Sequence, residues 1–206
     1  MSSPPLVGAS VPRRGAAWLR VLGRLMLRVL RWRVEGEIPD LPKLVIAVGP
    51  HTSNWDFVVG AATMFALDLD LSFLGKHTLF RGPTGAAMRW MGGIAVDRAS
   101  PHGVVGDAVA SFTRADKRLL AIAPQGTRRP GAPFRSGFVH IARGAQVPIL
   151  LATLDYGRRC VRLGPSFVPG PDIDAELARV EAFFANVRGR NARPTDSVLV
   201  PPRTKA

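Results

Sequence analysis

The sequence predicts an α/β fold, a mostly parallel central sheet flanked by helices, with an N-terminal amphipathic helix ahead of it. Three observations predict it. Short apolar runs of strand length recur from Lys43 onward, and longer segments with helical spacing separate them. The third is size: 206 residues, 47% apolar and 21% charged, supply one ordinary core and fall short of two.

In chain order, residues 1–15 mix Pro, Ser, Gly and arginine without periodicity and read as a flexible tail. Residues 16–34 follow as a basic amphipathic helix. Arg20, Arg24 and Arg28 recur every four residues and Arg31 comes three later, which stacks them on one stripe, while Trp18, Leu22, Leu25, Leu27, Val29 and Trp32 fill much of the rest. That pattern suits a helix lying in the plane of an anionic membrane, and equally a terminal helix packed on the domain with a solvated basic edge.

Residues 35–193 form the single domain. Leu44–Val48, Leu71–Leu74, Ile94–Val96, Leu119–Ala123 and Val147–Leu154 read as buried strands; Trp55–Leu67, Pro83–Met91, Val104–Thr113 and Ser136–Arg143 read as the helices between them. Val161–Val168 adds a late strand and Ile173–Val187 a closing helix. Residues 194–206, ending PPRTKA, read as a second tail.

The 28 Lys and Arg against 15 Asp and Glu give a net charge of +13. An anionic partner is implied: nucleic acid, an anionic membrane surface or a phosphorylated substrate. Nucleic acid is disfavoured, because no helix-turn-helix or RNA-binding signature is present and the chain has one tyrosine. A single cysteine, Cys160, excludes an intramolecular disulfide, and with four scattered histidines it offers no metal cluster. A reducing cytosolic setting fits. The N-terminus has no uninterrupted apolar run of about 18 residues, and Arg20, Arg24 and Arg28 break up the one candidate, so neither a spanning helix nor a cleavable signal peptide is expected there.

The segment PHTSNWD, Pro50–Asp56, carries the clearest chemistry. Five residues of helix turn through about 500°, so His51 and Asp56 meet only where His51 lies outside the helix. Pro50 rigidifies the strand exit, and Thr52, Ser53 or Asn54 can cap a helix beginning near Trp55, placing Asp56 in its first turn. A carboxylate accepting from one imidazole nitrogen leaves the other free as a base. No GxSxG serine accompanies the pair, so the proton it removes belongs to a substrate hydroxyl, in direct transfer. The structural alternative is a turn histidine and an aspartate that complements the helix dipole.

Several blocks in order resemble the glycerolipid acyltransferases, the lysophosphatidate acyltransferase-like family. HTSNWD matches that family's HxxxxD at His51 and Asp56; GGIAVDR, Gly92–Arg98, is similar to GxxFIDR; PQGTR, Pro124–Arg128, to PEGTR; and VPILLATL to its VPIVPV strand. The resemblance spans Leu44 to Leu154 and includes Lys76 and Pro83. It implies that His51 is the general base and Asp56 its orienting partner, and that the attacked group is an acyl-CoA or acyl carrier protein thioester, a co-substrate with no cofactor or metal. Lys76, Arg98, Gln125, Gly126, Thr127 and Arg128 would bind substrate. The two arginines would hold the acceptor's phosphate as planar forks, with Gly126 and Thr127 shaping a turn whose amides approach it.

The implied activity is O-acyl transfer to a lysophospholipid or glycerol-phosphate-like acceptor, by an enzyme peripheral on the cytoplasmic face of a membrane. Gln125 in place of Glu, Ala95 in place of Phe and Leu151 in place of the second Pro of VPIVPV depart from the family in the blocks tied to the acceptor. They leave open a non-phosphate acceptor, water as in a thioesterase, or an inactive membrane-binding homologue.

Overall fold

The computed structural model describes residues 5–96, 103–129 and 132–191. Helix α1 (Ala17–Val29) leads into strand β1 (Arg33–Gly36), followed by β2 (Lys43–Gly49), α2 (Trp55–Ala66), β3 (Leu71–Lys76), a 3-10 turn (His77–Phe80), α3 (Gly82–Trp90), β4 (Gly93–Val96), α4 (Gly103–Thr113) and β5 (Arg118–Ile122). The chain ends with α5 (Gly137–Gly144), β6 (Ile149–Asp155), β7 (Cys160–Phe167) and α6 (Ile173–Phe184).

The strands form one sheet in the order β1-β7-β6-β2-β5-β3-β4. The five from β6 to β4 run parallel. Strand β7 turns back antiparallel on β6, and β1 lies parallel to β7 at the edge. Both faces of the central strands are covered, so β2, β5 and β6 read as near-continuous apolar runs rather than alternating ones. Leu44 and Ile46 of β2 join Leu150 and Ala152 of β6 in the core under α1 and α2. Val45, Ala47, Ile149 and Leu151 point the other way, into the core under α4, α5 and α6.

Two expectations are corrected. The N-terminal helix does not reach residue 34: it stops at Val29, where Arg31 takes a left-handed conformation (φ 59) and the Trp32 N–H returns to Leu27 O at 2.8 Å. The apolar residues that prolonged the pattern, Trp32 and Val34, are core residues at the edge of the sheet. Nor are residues 5–15 a free tail. Val11 is buried, Ser10 N–H donates to Asp40 Oδ1 at 2.7 Å, and Arg14 N–H donates to Asp68 O at 3.1 Å. The segment expected at 194–206 lies outside the described residues.

Helix α1 has three faces. Leu19, Gly23 and Leu27 are buried, and Gly23 is required by the approach to α2, since a Cβ there would lie 2.7 Å from Ala62 O and 2.8 Å from Phe65 Cβ. At about 100° per residue, Arg20, Arg24 and Arg28 form the next stripe. Trp18, Val21, Leu22, Leu25 and Val29 form a third, apolar and exposed. The helix thus packs on the domain along one face and leaves a basic and an apolar face exposed. Trp18 also stacks on Trp90 at the end of α3, with ring centroids 6.5 Å apart.

Candidate active site

In a parallel sheet the carboxyl ends of the strands share one edge, where open α/β sheets place their ligand sites. That edge gathers residues far apart in sequence. His51 follows β2, the Gln125–Arg128 segment follows β5, Lys76 closes β3, and Tyr156 follows β6. Arg98 lies outside the described residues, two positions beyond the end of β4 at Val96.

His51 leaves β2 through Gly49 and a cis Pro50 and stays outside α2. Its Nδ1 lies 3.2 Å from Asp56 Oδ2, so the proton on Nδ1 points at the carboxylate and the Nε2 lone pair is free to accept. The imidazole is part-exposed, whereas the Asp56 side chain is only 1% exposed. One end of the pair is buried and the other meets solvent.

Asp56 sits in the first turn of α2 and reaches back over the loop. Its Oδ2 accepts from the Thr52 amide at 2.7 Å and the Ser53 amide at 2.8 Å, and Ser53 Oγ accepts from Trp55 N–H at 3.2 Å. None of the three side chains foreseen as caps therefore acts as a standard N-cap; the aspartate itself organises the turn. Burial pushes its pKa up. The hydrogen bonds from His51, the Ser53 amide, Tyr156 and the Thr52 amide outweigh that and hold it below the usual carboxylate range.

Gln125 is buried and spans two loops. Its Oε1 accepts from the His51 backbone N–H at 3.0 Å, and its Nε2 donates to Ala132 O at 3.2 Å. Both polar ends are used inside the protein, which ties this position to the His51 backbone. Gly126 takes φ 62, as a tight turn requires, and its N–H donates to Ala123 O at 3.0 Å. Thr127 Oγ1 accepts from Arg129 N–H at 3.3 Å. Arg128 is exposed and its Nε–H donates to His51 Nε2 at 3.3 Å. The Nε2 lone pair thus accepts from a cation.

These residues lie within the match to the acyltransferase family model, residues 31–153. The chain belongs to the acyltransferase family. Among solved structures, that of the 1-acyl-sn-glycerophosphate (LPA) acyltransferase PlsC from Thermotoga maritima is similar over 81% of this chain and 75% of its own, with a TM-score of 0.58 at 16% identity. At that identity the likeness is one of fold. No curated protein matches the sequence.

Two parts of this acyltransferase's site carry no sequence motif. Tyr156 donates its hydroxyl to Asp56 Oδ1 at 2.7 Å from 100 residues away. The segment after α6 then crosses the His51 loop. Asn191 Nδ2 donates to Thr52 O at 2.9 Å, the Arg190 guanidinium lies 4.8 Å from the Trp55 ring centroid, and Arg188 O accepts from Tyr156 N–H at 2.8 Å. Gly189 allows the approach, since a Cβ there would lie 2.7 Å from Thr52 Cγ2. Among the described residues no group of three or more His, Cys, Asp or Glu side chains forms a metal site, and no helix is long and apolar enough to cross a membrane.

Proposed function

We propose that this acyltransferase moves a fatty acyl group from an acyl thioester, carried on coenzyme A or an acyl carrier protein, to the hydroxyl of a lysophospholipid or glycerol-phosphate-like acceptor at a membrane surface. The supporting observation is the His51–Asp56 pair, in which a buried carboxylate holds Nδ1 of a part-exposed imidazole and leaves Nε2 facing the exposed Arg128 side chain. In this reading His51 Nε2 takes the acceptor's hydroxyl proton as that oxygen attacks the thioester carbonyl. The tetrahedral oxyanion collapses, the C–S bond breaks, and the thiolate leaves with the proton returned by His51. An ester and a free thiol result, with no acyl-enzyme and no nucleophilic serine.

Arg128 is proposed to hold the acceptor phosphate, with Arg98 and Lys76 as further cations. Its contact with Nε2 suits that role. A phosphate bound to the guanidinium draws the arginine off the lone pair and leaves it to the hydroxyl of the same molecule. Gly126 and Thr127 shape the turn that carries Arg128, and Gln125 acts through the His51 backbone rather than on the headgroup.

The membrane contact is proposed to run along the third face of α1. Trp18, Val21, Leu25 and Val29 are each more than half exposed, as is Trp90 beside Trp18. With the adjoining arginine stripe they suit an interface with anionic lipid. The enzyme would sit on the cytoplasmic face.

The test is purified protein with labelled acyl-CoA, anionic vesicles and a panel of lysolipids. The expected result is phosphate-dependent acceptor acylation that falls by about 10²- to 10⁴-fold in His51→Ala, with the melting temperature retained. Acyl-CoA hydrolysis at one rate with or without acceptor would instead assign water as the acceptor. A fully active His51→Ala enzyme would remove the pair from the chemistry.

A further inference from the structure

We propose that Tyr156 is a positioning residue of the transfer centre, a third member that holds Asp56 as Asp56 holds His51. The inference rests on the acyl-transfer reading of that pair. Its basis is how the carboxylate's two oxygens are occupied. Oδ2 takes the Thr52 and Ser53 amides and His51 Nδ1. Oδ1 takes the Tyr156 hydroxyl at 2.7 Å. Three donors on one oxygen leave the other dependent on the tyrosine, and the carboxylate is buried. The fourth donor completes the shell and fixes the plane of the carboxylate, so that Oδ2 faces the imidazole.

Tyr156 is itself held from two sides. Trp32 packs edge-on against its ring, with centroids 4.8 Å apart and planes at 83°, and its backbone N–H is tied to Arg188 O at 2.8 Å. Asp155 Oδ1 accepts from the next two amides, Gly157 at 2.9 Å and Arg158 at 3.1 Å, which tightens the turn that carries the ring. Burial and the Asp56 charge raise the phenol's pKa well above its ordinary value, with Arg190 opposing. The hydroxyl remains a proton donor throughout the working range. Such support for the partner of a base matches how outer groups fix an imidazole elsewhere in proteins.

Tyr156 acts on Asp56 in two ways. It restricts the carboxylate's rotation, and it withdraws negative charge from the oxygen pair that faces His51. Among the described residues, the charged groups set against Asp56 and Tyr156 include His51, with Arg128 beyond it, on the loops after β2 and β5, and Arg190 after α6. Without the hydroxyl the carboxylate presents more charge to the imidazole. The acid limb of the pH profile, which belongs to the His51–Asp56 pair jointly, then moves to higher pH.

Tyr156→Phe removes one oxygen and keeps the ring. The expected result is a kcat lowered about 10-fold, the low end of the cost of removing a group that orients an imidazole. KM values for acyl-CoA and lysolipid should stay within about twofold, with the acid limb of kcat/KM shifted upward. Tyr156 is the chain's single tyrosine, so growth on a ring-fluorinated tyrosine labels this site alone. A more acidic phenol is a stronger donor, and that protein should shift the limb downward; it also decides the matter if Tyr156→Phe fails to fold. Unchanged kcat and pH limb in these proteins, with His51→Ala inactive, would overturn the role of Tyr156 and leave the transfer reading standing. An active His51→Ala enzyme would instead overturn that reading.

Discussion

Replacing Gln125 with glutamate, the residue usual in this family, should destabilise this chain in a pH-dependent way. The amide oxygen accepts from His51 N–H at 3.0 Å, a contact a carboxylate keeps. At its other end the amide donates to Ala132 O at 3.2 Å, where an ionised carboxylate sets one acceptor against another. Loss of that bond with a part-buried carbonyl left unpaired costs about 1–3 kcal/mol. The escape is protonation, so that the carboxyl donates in the amide's place. Against an unfolded pKa of about 4.3, keeping it protonated at pH 8 costs about 5 kcal/mol, and at pH 5 only about 1 kcal/mol. The ionised form is therefore the cheaper one at pH 8 and the protonated form at pH 5. A folded-state pKa raised in this way makes the penalty complete above that pKa and relieves it as pH falls toward the unfolded value. In a chain of this length about 2 kcal/mol moves the melting temperature by about 4–8 °C. Thermal unfolding of parent and Gln125→Glu at pH 8 and pH 5 measures this. Equal melting temperatures at pH 8, or a deficit that does not shrink by pH 5, would refute the buried bridge.

Two further outcomes follow from the same structure. Val21→Asp with Leu25→Asp on the exposed face of α1 should cut co-sedimentation with phosphatidylglycerol vesicles at least 10-fold, since each side chain contributes up to about 1.5–3 kcal/mol when buried in an apolar phase; stability in solution should change by less than about 1 kcal/mol, and unchanged sedimentation would refute the proposed contact of α1 with lipid. Because the folded pKa of Asp56 is depressed, the stability it confers is present above its unfolded pKa of about 3.9 and lost as pH falls through the folded value. Below about pH 4 the parent should therefore lose stability more steeply than Asp56→Asn, and parallel unfolding curves there would contradict the hydrogen-bonded carboxylate.

Most of the fold was legible because burial on both faces of a parallel sheet leaves long apolar runs. The run expected at Leu44–Val48 is β2 at Lys43–Gly49, and that expected at Leu119–Ala123 is β5 at Arg118–Ile122. Strand β1 was not legible, because Trp32 and Val34 continue an apolar pattern that began in a helix. The break between them is a backbone event, the left-handed turn at Arg31, and arginine is not a residue whose presence signals such a turn. The packed segment before α1 was hidden for a related reason. Part of its hold on the domain is backbone, with the Arg14 amide on Asp68 and the Asp70 amide on Pro12, and backbone bonds leave no compositional trace.

The site divides along the same line. His51 and Asp56 are five positions apart, one on the loop and one in the first turn of the helix it enters, so a turn and a helix start suffice to bring them together. The Gln125–Arg128 turn was legible as a motif, but whether Gln125 faces a substrate or the interior depends on where Ala132 passes, which no spacing encodes. Tyr156 reaches Asp56 from 100 residues away and Asn191 reaches Thr52, beside His51, from 139. Tyr156 does so because β6 lies beside β2, which brings its carboxyl end next to the His51 loop and sets the tyrosine just beyond it against Asp56, and Arg188 is tied in turn to the Tyr156 amide. The His51–Asp56 contact comes from a local turn, whereas the donor on the carboxylate's second oxygen comes from strand order, a long-range property. A search for such support in related sequences should therefore look just past the end of the strand that neighbours the histidine strand, not around the histidine itself.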